Sequence, residues 1–279
     1  MASVAPGPWK MRGLETEEEP LQRCHRALSA AYRAPSAGST SVHWPLPMQS
    51  LTGSGLYPLR QAAQLVRQEP RTVRRWLRGY SWKMKQGRSQ SAPLWPTAYR
   101  DDDLPGEQVI SFRDLLELRM VAQFVSHNVG LKIIRATIDM ARQDLSSPYP
   151  LSNRTFRTDG RRIFMQAIED ATGDEKLVDV LRKQFVFGQI IKSSLFEGIV
   201  YDGDQVPTRW FPEPRKRDVM LDPQVQFGTP VLSDVGIPTD TIYAAWLAEN
   251  KNRGTVAREF DITPAMVSAA VGFEQRLAA

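Results

Sequence analysis

The stretch YPLRQAAQLVRQEPRTVRRWLRGY at residues 57–80 decides how this chain folds, because its second half has two opposed faces when placed on a helix. At about 100° per residue, one arc holds only arginines and the opposite arc only apolar side chains. One face can pack on a small core while the other presents guanidinium groups, which match phosphate oxygens and guanine edges in the DNA major groove. The arginines are Arg71, Arg74, Arg75 and Arg78, and the apolar residues are Val73, Trp76 and Leu77.

A second short helix is predicted just upstream, where Leu59, Ala62, Ala63 and Val66 repeat at helical spacing. Pro70 is placed to end that helix and begin the next, and Gly79 follows as a C-cap. Two short helices joined by a tight turn are the layout of a helix-turn-helix. The alternative is an amphipathic helix whose arginines only face water.

The segment after the arginine-faced helix, YSWKMKQGRSQSAPLWPTAYR, predicts two short strands around a flexible loop. The loop is expected to contain Gly87, Ser89, Ser91 and Pro93. A hairpin directly after a recognition helix is a wing, which contacts neighbouring phosphates. Its basic residues are Lys83, Lys85 and Arg88.

Positive charge is concentrated on this module. Residues 55–100 hold ten basic side chains and one acidic residue, Glu69, although the whole chain of 279 residues carries a formal charge of only +5. The rest of the chain is therefore net negative. Such a distribution is the electrostatic signature expected of a nucleic-acid contact.

Composition points to a cytoplasmic protein. Cys24 is the only cysteine, which excludes an internal disulfide and a thiolate metal cluster. No apolar run reaches the roughly 18 residues that a membrane helix needs. The first residues, MASVAPGPWKMRGLETEEEP, lack the apolar core of a signal peptide.

Catalysis is not expected. The three histidines, His25, His43 and His127, are far apart, and the chain has no phosphate-binding glycine loop, no nucleophile elbow and no zinc-protease pair. The consecutive carboxylates at 101–103 point in different directions and predict a solvated loop. We therefore expect neither enzyme activity nor a cofactor or metal ion.

The remaining sequence predicts a mainly α fold with small β elements. Ser111 and Asp114 form a capping pair before a helix, and the helical pattern resumes after Gly130. Residues 146–165, SSPYPLSNRTFRTDGRRIFM, are interpreted as loop and short strands with a turn at Asp159-Gly160. A further helix is expected at 173–186, and a hairpin at 197–212 turning at Asp202-Gly203-Asp204.

The C-terminal part predicts a β element followed by helices. Thr263 as N-cap and Pro264 at the first helical position outline a second helix-turn-helix. Its second helix has no basic side chain until Arg276, so it has little with which to read bases. A three-helix packing or protein-contact module is the favoured interpretation.

These patterns divide the chain into four parts. We expect a disordered tail over residues 1–50, a winged helix-turn-helix DNA-binding domain over 51–172, a helix and β-hairpin connector over 173–215, and a small three-helix, helix-turn-helix-like domain over 216–279.

In this arrangement the chain resembles a known family. Residues 57–80 look like the MerR-type winged helix-turn-helix. The pieces LWPTAY, ISFRDLLELRMVAQF, GLKIIRATIDMA and PYPLSNRTFRTDGRRIF are similar to an N-terminal DNA-binding domain of VapB-type antitoxins, which pair with PIN-domain ribonuclease toxins. DPQVQFGTPVLSDVGIPT and TVAREFDITPAMVSAAVGFEQ resemble a small C-terminal domain of unknown function found beside such toxins.

The resemblance implies a type II antitoxin that binds and silences a cognate toxin and represses its own operon. Pro58, where such helices often have a hydroxyl cap, and the N-terminal tail depart from the pattern. A homodimer on double-stranded operator DNA is expected, because short winged helices usually gain specificity from two half-sites. The implied DNA contacts are Arg71, Thr72, Arg74, Arg75 and Arg78, with Lys83, Lys85 and Arg88 on the wing, and Arg60 is predicted to join them.

Two other functions stay open. One is a MerR-like transcription regulator that responds to a small molecule or metal, although the long dimerisation helix and cysteine ligands expected there are missing. The other is an accessory protein of a phage or mobile element that bends DNA, for which an isolated winged helix would suffice.

Overall fold

The computed structural model describes residues 53–84, 87–99, 108–172 and 196–278. Over these residues the chain is mainly helical, with small two-stranded antiparallel sheets, which confirms the predicted fold class. The predicted tail at 1–50, the carboxylates at 101–103 and the predicted helix at 173–186 lie outside the described residues. None of the described helices is both long enough and apolar enough to cross a membrane.

The predicted helix-turn-helix is confirmed. Strand β1 (Tyr57–Pro58) leads directly into α1 (Leu59–Leu65), and α2 (Pro70–Arg78) follows after a four-residue turn. Arg67 adopts a left-handed backbone with φ 54°. The next N–H, of Gln68, donates to the carbonyl of Ala63 over 2.9 Å. This hydrogen bond holds the turn against the end of α1, and α2 therefore packs against α1.

A β-hairpin follows α2, as predicted for a wing. Strand β2 (Tyr80–Met84) pairs antiparallel with β3 (Gly87–Ser91). The sequence placed Gly87, Ser89 and Ser91 in the loop, and this was wrong. All three belong to β3, because the backbone hydrogen bonds between the two strands continue as far as the pair Tyr80–Ser91. These bonds join main-chain groups and do not depend on which side chains are present.

A long buried helix forms the centre of the fold. Strand β4 (Val109–Ile110) pairs with β1, and α3 (Phe112–Ser126) begins at the predicted capping box. Ser111 Oγ accepts from the Asp114 N–H over 3.1 Å, and Asp114 Oδ2 accepts from the Ser111 N–H over 3.1 Å. Ten of its fifteen residues are buried, among them Leu116, Met120 and Phe124, so α3 is buried on most of its surface.

The region after α4 (Leu131–Asp144) corrects the sequence interpretation. Residues predicted as short strands with a turn at Asp159-Gly160 instead form α5 (Phe156–Thr172). Asp-Gly favours a turn locally, but burial of one helical face overrides that preference. Gly160 lies against the Phe156 ring, where an added Cβ would stand 3.0 Å away. The buried apolar side chains of α5 are Phe156, Ile163, Phe164, Ala167 and Ile168.

A second hairpin confirms another prediction. Strand β5 (Ile199–Tyr201) pairs with β6 (Pro207–Trp210). The turn is held by Asp202, whose Oδ1 accepts from the N–H groups of Asp204 at 3.0 Å and Val206 at 2.8 Å.

The chain then enters its C-terminal part. Strand β7 (Val219–Met220) pairs with β8 (Val231–Leu232), with a 3-10 turn between them. Trp210 and Leu221 exchange two backbone hydrogen bonds of 2.9 and 2.8 Å, so the second hairpin continues into this part without a break.

Three helices complete the chain, as the sequence predicts: α6 (Thr239–Ala248), α7 (Arg253–Glu259) and α8 (Pro264–Ala278). The Thr263 hydroxyl accepts from the Met266 N–H over 3.2 Å, so α8 starts at the predicted cap. The three helices surround their own apolar cluster, which includes Ile242, Trp246, Val256, Val267 and Val271.

Candidate nucleic-acid interface

Helix α2 has the two faces that its sequence predicts. Val73, Trp76 and Leu77 are buried against the core, with 0%, 5% and 1% of their surfaces exposed. Arg71 and Arg74 are exposed on the first two turns. The apolar side fixes the orientation of the helix and leaves these guanidinium groups exposed on the protein surface.

The remaining two arginines of α2 are held by neighbours. The Arg75 guanidinium stands 4.0 Å from the centroid of the Tyr80 ring, a cation–π distance. Arg78 Nη1 donates to Thr97 Oγ1 over 2.6 Å. Holding a long side chain in place lowers the conformational entropy that it loses when it binds a phosphate.

The other predicted contacts are distributed over α1, α2 and the wing. Thr72 is half-buried on α2, and Arg60 is exposed on α1. On the wing, Lys83 and Arg88 are exposed and stand directly opposite each other across the two strands. Lys85 lies outside the described residues.

The base of the wing is fixed to the body by contacts that the sequence analysis missed. Gly79 has φ 71°, and a side chain there would collide with the Ser91 carbonyl oxygen. The Leu94 N–H donates to the Trp76 carbonyl over 2.8 Å. From α4, Arg135 donates to the carbonyls of Pro93 at 2.5 Å and Ala92 at 2.8 Å. The wing therefore has a defined position relative to α2.

A buried carboxylate supports the segment that leaves the wing. Asp114 is 0% exposed and accepts hydrogen bonds from Trp95 Nε1 at 2.9 Å and the Ala98 N–H at 3.1 Å, besides those from Ser111. Burial raises the pKa of Asp114, and the hydrogen bonds partly offset this. Thr97, whose hydroxyl accepts the hydrogen bond from Arg78, lies in the sequence between Trp95 and Ala98, which both donate to Asp114. The capping motif was visible in the sequence, but this second role was not.

A second buried carboxylate connects α3 to the segment between α4 and α5. Glu117 is 1% exposed and accepts from the N–H and Oγ of Ser152 at 2.7 and 2.8 Å and from the Leu151 N–H at 3.3 Å. Burial raises the pKa of Glu117 to about 7. It lies on the core side of α3, away from the arginine face, so its role is to stabilise the fold.

The C-terminal part contacts the start of the helix-turn-helix. The Tyr57 hydroxyl, fully buried, donates to the Gly228 carbonyl over 2.8 Å, and the Leu56 N–H donates to the Phe227 carbonyl over 2.9 Å. Gly228 has φ 87°, and an added Cβ would collide with the Tyr57 hydroxyl. This junction joins β1, from which α1 starts, to the 3-10 turn between β7 and β8.

The second helix-turn-helix outline presents a different surface. The exposed residues at the start of α8 are Pro264 and Ala265, and Ser268 Oγ donates to the Pro264 carbonyl over 2.8 Å. The first turns of this helix therefore offer DNA no charged or amide side chain. Across the described ranges, no group of three His, Cys, Asp or Glu side chains is arranged to hold a metal ion.

Comparison with known proteins shows one similarity in sequence and one in structure. Residues 219–273 match the model of a family described as protein of unknown function, DUF433. The X-ray crystal structure of Rv2018 from Mycobacterium tuberculosis superposes with a TM-score of 0.58 at 19% sequence identity, covering 77% of this chain and 96% of that one. The two proteins therefore share a fold. No curated protein matches the sequence.

Proposed function

We propose that this protein is the DNA-binding antitoxin of a type II toxin–antitoxin system, which neutralises a PIN-type ribonuclease and represses its own operon. The observation that carries the DNA-binding half is the division of α2 into a buried face of Val73, Trp76 and Leu77 and an exposed face with Arg71 and Arg74. The proposal implies a cytoplasmic protein that acts as a homodimer.

In the proposed complex, α2 lies in the major groove. Arg71 and Arg74, near its N-terminus, are placed to meet base edges, as in other recognition helices. Arg75 and Arg78, which Tyr80 and Thr97 hold in place, are suited to phosphates. Lys83 and Arg88 on the wing meet the backbone of the adjacent groove.

The toxin-binding half of the proposal rests on the resemblance to VapB-type antitoxins. Two observations on the C-terminal part agree with this half of the proposal. The first turns of α8 lack the side chains that read bases, and α6, α7 and α8 enclose an apolar core of their own. We assign protein contacts to this C-terminal part and DNA contacts to α2 and the wing.

One experiment tests both halves with the full-length chain. The protein is expressed with its neighbouring genes from the native operon, purified, and assayed for a co-purifying PIN-domain protein and for a mobility shift of DNA from upstream of its own gene. We expect both. Failure to bind that DNA contradicts the repressor role, and DNA binding without any toxin partner favours a transcription regulator of the MerR-like kind.

A further inference from the structure

A cavity lies between the helix-turn-helix and the last helix of the chain. Its walls come from the end of α1 and the turn after it, from α3, from the end of β6 and the residues that follow, and from α8. Its volume is about 480 Å³, and small-molecule sites occupy roughly 300–1,000 Å³. The cavity is therefore large enough for an organic molecule.

The wall of the cavity is partly apolar and partly exposed to solvent. Val66, Ala122 and Phe273 line it and are buried, so they form its inner part. Gln64 and Ser126 are exposed and mark its opening. A ligand can therefore enter from solvent and bury an apolar body against the inner wall.

The cavity is positively charged. Its described lining residues include three arginines, Arg67, Arg119 and Arg276, and one carboxylate, Glu213, which together give a net charge of +2. Within this set Arg276 pairs with Glu213, because Arg276 Nη2 stands 2.6 Å from Glu213 Oε1. An anionic group on a ligand would balance the remaining charge of the wall.

Arg119 is held against Trp210, which also lines the cavity. The guanidinium carbon of Arg119 stands 5.1 Å from the centroid of the Trp210 ring, a cation–π distance. Burial lowers the pKa of Arg119 to about 10, so the side chain stays protonated at neutral pH. Trp210 adds a donor, since its buried Nε1 has no hydrogen-bond partner among the described residues. Buried donors are rarely left in this state unless something else binds them.

Arg67 occupies an unfavourable backbone conformation on the cavity wall. Its φ of 54° lies in the left-handed region just after α1, where glycine or asparagine is usual. The side chain is exposed, and none of the ion pairs between described residues includes it. Strained positions of this kind cluster at ligand sites, and here the strain places an arginine on the wall.

We propose that this cavity binds a small organic anion with an apolar body. The anionic group accepts hydrogen bonds from Arg119, Arg67 and Trp210 Nε1, and the apolar body packs on Val66 and Phe273. A ligand in this place contacts both the turn of the helix-turn-helix and α8. The inference does not depend on the proposed function, because none of these residues is among the proposed DNA contacts.

The test uses two fluorescent probes with the full-length protein. 8-Anilinonaphthalene-1-sulfonate has an aromatic body and a sulfonate, and N-phenyl-1-naphthylamine has the same body without the charge. We expect saturable binding of about one sulfonate probe per chain, as a single site requires. Absence of saturable binding overturns the proposal.

Two variants locate the site. Arg119→Met keeps the length of the side chain but removes its charge, and it should weaken binding of the sulfonate probe about tenfold or more. Arg67→Asn, which tolerates a left-handed backbone, should weaken it roughly two- to fivefold, because water screens an exposed charge. Both variants should bind the neutral probe as wild type does. Arg161→Ala, an exposed arginine of α5, is the matched control and should keep wild-type affinity for both probes.

The remaining outcomes are distinguished by the neutral probe. Sulfonate affinities of both variants equal to that of the control place the probe elsewhere and overturn the site. An equal loss for the two probes shows that the variants change the shape of the cavity, and it overturns the assignment to an anion. Circular dichroism checks that each variant is folded, and Arg67→Asn decides between these outcomes if Arg119→Met unfolds.

Discussion

Replacing Arg74 by alanine tests the proposed DNA contact without disturbing the fold. Arg74 is exposed on α2, and the buried residues Val73 and Trp76 lie on the opposite side. The change removes a guanidinium from the surface without opening the core, so the free energy of unfolding should change by less than about 0.5 kcal/mol.

The expected loss in DNA affinity follows from the kind of contact. A well-placed arginine on a base edge contributes about 1–3 kcal/mol, which corresponds to a loss of roughly 5- to 150-fold. If Arg74 instead contacts a phosphate, the slope of log K against log salt falls by about 0.9 per contact. Comparing two salt concentrations therefore shows which kind of contact is lost.

Arg78 provides the contrast, because it also has a structural partner. Arg78→Ala removes the 2.6 Å hydrogen bond to Thr97 and leaves that hydroxyl without its donor. We expect a loss of about 1 kcal/mol in unfolding free energy in addition to weaker DNA binding. The two variants should differ in thermal stability even where their affinities are similar.

The assay is fluorescence anisotropy with upstream operator DNA at about 50 and 200 mM salt, beside urea unfolding of each variant. Arg161→Ala, an exposed arginine of α5, serves as the matched control for removing one positive charge. Affinity of Arg74→Ala within twofold of the Arg161→Ala control at both salt concentrations would refute the assignment of this face to DNA.

Three further predictions concern the core. Trp76→Ala should cost roughly 3–5 kcal/mol because it empties a buried aromatic site, so the melting temperature and operator binding should fall together; full thermal stability would contradict its place in the core. Tyr57→Phe leaves the Gly228 carbonyl unpaired and should lower unfolding free energy by about 1–3 kcal/mol in urea titrations, and an unchanged midpoint would show that the bond adds nothing. The raised pKa of Glu117 means that the folded state holds its proton more tightly than the unfolded state. The contribution of Glu117 to the free energy of unfolding is therefore greatest below about pH 4.5, and it is lost as the pH rises towards about 7. The free energy of unfolding falls by up to about 1.4 kcal/mol per pH unit in this range. Glu117→Gln should reduce the dependence of the free energy of unfolding on pH. Identical profiles of unfolding free energy against pH for the variant and wild type would contradict a raised pKa of Glu117.

Local signals in the sequence were sufficient for several elements. The angular separation of Arg74 from Trp76 predicted which side of α2 is buried, and the Ser111–Asp114 and Thr263–Pro264 signals placed two helix starts correctly. Each of these depends on residues within one or two turns of each other. Such patterns are determined by backbone geometry, which a single sequence displays directly.

Features that depend on distant residues could not be predicted in this way. The Asp-Gly pair at 159–160 indicated a turn, whereas burial of Phe156 and Phe164 against other helices makes it part of α5. The Arg135 contacts to the wing base span more than 40 residues. No spacing rule connects positions so far apart.

The bond between Tyr57 and Gly228 also has a consequence for how this protein is made. Its two residues are 171 positions apart, although Tyr57 immediately precedes α1. During synthesis at about 5–20 residues per second, the ribosome needs on the order of ten to thirty seconds to reach Gly228 after Tyr57 has been added. Throughout that interval the start of the helix-turn-helix lacks the two hydrogen bonds that Tyr57 and Leu56 donate to the turn between β7 and β8. A message broken before that point yields a product whose helix-turn-helix lacks this support, so the DNA binding that we propose should be weaker in such a product.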